Sequence, residues 1–184
     1  MQTPGINRRS FLKLGAFAAV AYPALASAAG SSAFVNARSR TLSFYNLHTG
    51  EKLKSVYWEG GAYSPESLAG INHILRDHRT GEIHEIAPHL LDTLCEVAMV
   101  LETSEPFEII SGYRSPATNA MLRNHSDGVA EHSLHMDGLA VDVHVPGRSL
   151  AVLRKTAIAL KAGGVGYYPE SQFVHIDVGR VRTW

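Results

Sequence analysis

From about residue 40 onward, the alternation of apolar and polar positions changes period several times, and each change marks an element. Thr41 to Leu47 alternates, His48-Thr49-Gly50-Glu51 breaks the run, and Leu53 to Trp58 resumes an extended pattern. Two such runs around a glycine-containing turn predict a β-hairpin. Ser64-Pro65-Glu66 supplies an N-cap, a proline at the first helical position and an early acid, which together signal a helix start. Leu68, Ile71, Ile74 and Leu75 follow at helical spacing, with Thr80-Gly81 as the expected stop. Pro88 opens a second helix, in which Leu90, Leu91, Leu94, Val97, Ala98 and Leu101 make one apolar stripe.

The second half is built from shorter pieces. Phe107 to Ile110 predicts a strand that runs into Ser111-Gly112-Tyr113-Arg114-Ser115-Pro116, followed by a short helix around Ala117 to Asn124. Leu139 to Val145 predicts a strand, Ser149 to Lys161 a helix, and Phe173 to Val178 a last strand. Between the last two, Gly163-Gly164-Val165-Gly166-Tyr167-Tyr168-Pro169 predicts a glycine-rich turn or strand edge. It lacks the Lys-Ser/Thr of a phosphate loop and opens no helix, so it is expected to be backbone that passes close to a site. Without internal repeats or low-complexity tracts, the order of elements predicts an α+β domain rather than a doubly wound sheet.

The N-terminus has a different logic. Arg8-Arg9-Ser10-Phe11-Leu12-Lys13 precedes an apolar run, Leu14 to Ala26, interrupted by Pro23 and ending in small residues. A charged start, an apolar middle of about 7–15 residues and a small-residue exit describe a secretory signal, and the paired arginines point to the twin-arginine route. A membrane span would need about 20 apolar residues. Residues 1–28 are therefore expected to be a signal and 29–184 the exported domain, working in the periplasm with no stable membrane span after cleavage.

The chain has 17 basic and 17 acidic residues; loss of Arg8, Arg9 and Lys13 leaves the mature domain near −3. No basic tract invites nucleic acid. Cys95 is the only cysteine, which rules out an internal disulfide; its apolar helical position predicts a core thiol. Of the ten histidines, His73, His78, His84, His89 and His125 lie in polar surroundings expected at the surface or in loops.

The informative segment is Ser133-Leu134-His135-Met136-Asp137-Gly138-Leu139-Ala140-Val141-Asp142. Seven residues span about 10 Å on a helix and more than about 20 Å on a strand. His135 and Asp142 can share an ion only if the chain turns between them, and Gly138 offers the flexible point. In the last strand, period-2 alternation puts Phe173, His175 and Asp177 on one face. Two histidines and one carboxylate leave a fourth position for water, the open arrangement of catalytic zinc. By itself this spacing is weak, because a histidine on a strand is more often structural.

Ser133-x-His135-x-x-Gly138-x-Ala140-x-Asp142 with the distant His175 resembles the zinc peptidases that group lysostaphin, the D-Ala-D-Ala peptidases and the Hedgehog fold. Asn46 to Glu51, Ser111 to Ser115, Gly163 to Pro169 and Phe173 to Gly179 extend the likeness to the MepK-like murein endopeptidases, over nearly all of 40–184. The resemblance implies a small antiparallel sheet carrying the metal site, with flanking helices. It also implies one Zn2+ per chain on His135, Asp142 and His175, and peptidoglycan stem peptides as substrate.

Arg114, in a segment similar to the arginine loop of carboxypeptidase relatives, is the candidate to stabilise the oxyanion; a loop salt bridge or a clamp on a substrate carboxylate is the alternative. Many relatives carry an acid three residues before the last histidine, or a histidine two before it. Here Gln172 and Phe173 stand there, and neither can serve as a base. Asp177 is the first candidate and His144 the second, unless either instead fixes the tautomer of a ligand. Ser133 is expected to support the site by hydrogen bonding, and Tyr167 or Tyr168 to line the substrate cleft. The competing functions are a D,D-carboxypeptidase or dipeptidase that trims stem peptides, a non-catalytic wall-binding module, and a protein with structural zinc closed by His144 or Asp177.

Overall fold

The computed structural model describes residues 34–125 and 129–184; the expected signal, residues 1–28, lies outside them. The hairpin forms as strands β1 (Ser39–Asn46) and β2 (Lys52–Glu59), extended by a two-residue β3 (Ala62–Tyr63). Helix α1 (Pro65–Ile74) starts as the sequence predicts, with the Ser64 side chain accepting from Ser67 N–H. It stops six residues short of Gly81, because Asp77 claims the backbone: its carboxylate accepts from Arg79 N–H at 2.9 Å and Thr80 N–H at 3.4 Å. Such local bonds compete with a helix. Helix α2 (Pro88–Val100) follows, then β4 (Phe107–Ser111), α3 (Pro116–His125) and a 3-10 turn (Leu134–Asp137). The chain ends with β5 (Ala140–His144), α4 (Leu150–Leu160), β6 (Gly164–Tyr168), β7 (Phe173–Asp177) and β8 (Arg182–Thr183).

The α+β class holds, but the expected small antiparallel sheet does not. One eight-stranded mixed sheet runs in the order β3-β2-β1-β4-β5-β7-β6-β8. The pairs β1/β4 and β6/β8 are parallel. A parallel pair needs a long crossover, and α1 and α2 supply it between β1 and β4. The glycine-rich run is no turn or edge. It is strand β6, paired with β7 on one side and β8 on the other.

Helices α1, α2 and α4 pack on the sheet, and the core lies between these layers. Leu90, Leu91, Leu94 and Val97 of α2 are buried, as are Leu42, Phe44, Val141, Val143, Val174 and Ile176 of the strands. Each fully buried side chain of this kind contributes about 1.5–3 kcal/mol. Cys95 belongs to this layer, and burial pushes its thiol up. Because Val141, Val143, Val174 and Ile176 face the core, strand alternation turns Asp142, His175 and Asp177 to the opposite face.

Candidate metal centre

Asp142 on β5 and His175 on β7 are direct partners in an antiparallel ladder, and Gly166 of β6 is the next residue in the same row. Partners of this kind hold their Cβ atoms about 4.5–5.5 Å apart. His135 arrives from the 3-10 turn. Gly138 closes that turn with φ +66°, and a Cβ there would lie 2.0 Å from Glu85 O. Only glycine fits this left-handed, crowded position. Ser133 caps the turn, its hydroxyl accepting from His135 N–H at 3.4 Å.

The structure brings three donor atoms together. His135 Nε2 lies 3.2 Å from His175 Nδ1 and 3.3 Å from Asp142 Oδ1, and His175 Nδ1 lies 2.9 Å from Asp142 Oδ1. All three residues are buried. The outer nitrogens are already engaged: His135 Nδ1 with Gly112 O at 2.7 Å, and His175 Nε2 with Asp177 Oδ2 at 3.0 Å. An acceptor there requires the outer nitrogen to carry the proton, which leaves the inner nitrogens as bare lone pairs. Two lone pairs and a carboxylate oxygen then converge on one point, an arrangement that repels itself unless a cation occupies it. Tetrahedral zinc bonds of about 2.0–2.1 Å put ligand atoms roughly 3.3 Å apart, close to the separations found. The residues fit the metal.

Without a metal, a proton competes for the same point. Burial alone would raise the Asp142 carboxyl, but the two imidazoles outweigh it and hold the group well below the usual carboxylate range. Burial alone would lower His175, and Asp142 and Asp177 together hold it above its ordinary value.

Asp177 sits behind His175. Its Oδ1 accepts from Gly164 N–H, Gly179 N–H and Arg182, and its Oδ2 from His175 and Arg182. These donors outweigh burial and hold it far below the usual range. A base needs a free lone pair toward substrate and a pKa near working pH; this carboxylate has neither. His144 Nδ1 pairs with Glu108 Oε2 at 2.9 Å, away from the cluster. Among the described residues, neither His144 nor Asp177 belongs to the three-residue donor group.

The cluster lies in a cleft of about 600 Å³. Arg114, Ser133 and Tyr168 line it. Arg114 is fixed by its N–H to His135 O at 3.1 Å, by Nη1 to Asn119 Oδ1 at 3.4 Å and by Nη2, 3.8 Å from Asp142 Oδ2. Phe173, where some relatives keep a histidine, also lines the cleft and stacks on Tyr168 at 4.6 Å. Gln172 takes a left-handed φ of 59° and donates its side-chain amide to Pro169 O. Six lining residues have no precursor in the sequence pattern, among them His132, Arg182 and Trp184. The pattern offers no signal for Trp184, because β8 is too short to show alternation.

The sequence model of one protein family, peptidoglycan L,D-endopeptidase MepK, matches residues 35–184. The peptidoglycan L,D-endopeptidase MepK of Escherichia coli (strain K12) is 46% identical over 180 residues, 97% of each chain. The protein of that name from Shigella flexneri gives the same figures. The probable peptidoglycan L,D-endopeptidase MepK of Haemophilus influenzae is 40% identical over 149 residues, 80% of each chain. With a family match across the whole described domain, and relatives this similar over nearly their full length, the chain belongs to the peptidoglycan L,D-endopeptidase MepK family.

Proposed function

We propose that the protein is a zinc-dependent endopeptidase that hydrolyses peptide cross-links of peptidoglycan in the periplasm. The observation that carries this reading is the convergence of His135 Nε2, His175 Nδ1 and Asp142 Oδ1 in a cleft, in a chain of this family. One zinc ion, when bound, supplies a Lewis acid for the scissile carbonyl and lowers the pKa of water toward about 7. His135, Asp142 and His175 hold it. Gly112 O and Asp177 fix the imidazole tautomers, so Asp177 is a positioning residue in place of the base first considered for it. The Arg114 guanidinium, which lines the same cleft, stabilises the negative charge that the scissile carbonyl gains. Ser133 and Tyr168 contact the stem peptide.

Two cross-links contain diaminopimelate. In the D-Ala link both centres flanking the amide are D. In the diaminopimelate-to-diaminopimelate link the carbonyl side is L and the nitrogen side D. The L,D descriptor of the family fits the second. Residues 1–28, with Arg8-Arg9, direct export by the twin-arginine route. Among the described residues no helix is long and apolar enough to cross a membrane.

The test is digestion of purified muropeptide dimers of both linkages, with zinc, with chelator and with His135→Ala. Zinc-dependent monomer release from the diaminopimelate-linked dimer, lost in the variant, is the expected result. No cleavage of either dimer by a domain holding stoichiometric zinc would overturn it. Retention of an Arg8→Lys/Arg9→Lys variant in the cytoplasm tests the route.

A further inference from the structure

The row Asp142–His175–Gly166 ends on a residue without a side chain, and an indole fills the space. Strand β8 pairs with β6 through Gly164↔Arg182 and Val165↔Thr183. Trp184 continues the ladder: its N–H donates to Val165 O at 3.3 Å, and its carbonyl accepts from Tyr167 N–H at 3.1 Å. A Cβ on residue 166 would lie 2.7–2.8 Å from Cε2, Cζ2 and Nε1 of the indole. The seat exists because position 166 is glycine, which permits so close an approach. The indole N–H donates to Tyr168 Oη at 2.7 Å. The ring centroid is 5.2 Å from that of His175, and the Arg182 guanidinium lies 4.8 Å from the ring.

The indole is therefore fixed by a backbone ladder, a side-chain hydrogen bond, a cation and a glycine seat. Yet Trp184 is 46% exposed and lines the metal cleft. A large aromatic surface held in one orientation binds with little loss of entropy and offers an apolar face to a partner. Two guanidinium groups line the same cleft: Arg182 is committed to Asp177, which leaves Arg114, 3.8 Å from Asp142 Oδ2, as the cation nearer to free. An apolar wall in a cleft with such a cation suits an aliphatic chain that ends in a carboxylate, which is the chemistry of diaminopimelate, a diamino acid with a second carboxyl group.

We propose that Trp184 is a specificity-determining residue whose indole, seated on Gly166, packs against the aliphatic chain of the diamino acid beside the scissile amide. This rests on the peptidoglycan endopeptidase reading and names the residue that selects the substrate's side chain.

Two measurements test it. The chain has two tryptophans, so zinc-loaded Trp58→Phe leaves Trp184 as the only indole emitter. Its emission changes saturably when the stem tripeptide L-Ala-γ-D-Glu-meso-diaminopimelate is added, and not with a peptide-free amino-sugar chain of the glycan. No change with the tripeptide, or a response to the sugar alone, overturns the proposal. In the second measurement, Trp184→Ala raises KM for the cross-linked dimer by about tenfold or more and leaves kcat within about threefold, as loss of a side-chain contact predicts. Zinc content stays stoichiometric, and Trp184→Phe recovers most of the loss. An unchanged KM, a fall confined to kcat, or loss of zinc overturns it, the last by reducing Trp184 to a support of the metal. Failure of the wild-type enzyme to cleave dimers counts against the endopeptidase reading, while the emission experiment still decides whether Trp184 meets the peptide.

Discussion

Replacing Gly112 by alanine should damage the metal centre from a residue that donates nothing to it. A Cβ at this position would lie 2.3 Å from Leu75 O and 3.0 Å from Leu75 C and Cα. Ordinary contact begins near 3.4 Å, so the two segments must part by roughly 1 Å, more than a packed interior yields without strain. Leu75 cannot give way easily: it is fully buried, and the carbonyl before it is held by Asn46 Nδ2 at 2.9 Å. The displacement therefore falls on Gly112, whose carbonyl accepts from His135 Nδ1, and on Tyr113, whose N–H donates to Leu75 O at 2.7 Å. Overpacking costs about 1–3 kcal/mol and a weakened backbone hydrogen bond about 1 more. At roughly 2–4 °C per kcal/mol for a domain of this size, Tm falls by about 5–15 °C. Losing the bond that orients His135 weakens zinc binding by about 10–100-fold. Thermal unfolding and competition for zinc against a chromophoric chelator read the two effects. Gly70→Ala is the control: its new methyl meets only Leu53 Cδ2 at 3.7 Å inside α1, so it leaves zinc affinity unchanged and adds up to about 1 kcal/mol. If Gly112→Ala matched the wild type in both Tm and zinc affinity, the argument from the Leu75 contact to His135 would be refuted.

Asp177→Asn should lower zinc affinity by about 10–100-fold with the fold intact by circular dichroism; wild-type affinity would show that Asp177 does not position His175. Zinc removal should lower Tm, since ligand at 100 times its Kd contributes about 2.7 kcal/mol; equal melting curves with and without chelator would refute a native-state metal. Burial alone would raise the Asp77 carboxyl, but bonds from Thr118, Ser115 and Arg79 outweigh it and hold the group well below its usual range. A lowered folded pKa means stability present above the unfolded value of about 3.9 and lost as pH falls below it. Urea midpoints between pH 5 and 2 should decline less steeply in Asp77→Asn than in the wild type, and parallel curves would exclude this contribution.

Periodicity made the hairpin, the α2 stripe and the limits of α4 legible, because each presents a repeating apolar face. It could not reveal β6, since Gly163, Gly164 and Gly166 have no side chains to alternate and the strand is imposed by β7 and β8. Nor could it give the parallel β1/β4 pairing: alternation tells which face a residue occupies, while neighbours across about 60 residues are chosen by packing. At the site, the spacing required a turn at Gly138, which the chain makes at φ +66°. That Asp142 and His175 are ladder partners is a property of the sheet alone. The five hydrogen bonds that occupy Asp177 were out of reach because two come from the backbone of Gly164 and Gly179.

Both borders of the eight-stranded sheet are two residues long, β3 at one side and β8 at the other. A long bare strand is a template on which another chain can grow a β-ladder, and little of one remains here. Along β2, the Tyr57 and Val56 carbonyls are taken by Ser64 N–H and by the Ser67 hydroxyl. The stretch beyond carries Lys52 and Lys54, exposed charges that repel a docking strand. At the other side, Trp184 occupies the Val165 carbonyl and the Tyr167 N–H. The consequence is that neither border offers a second copy of this domain a long, bare strand on which to pair edge to edge, even though the fold is one wide, open sheet.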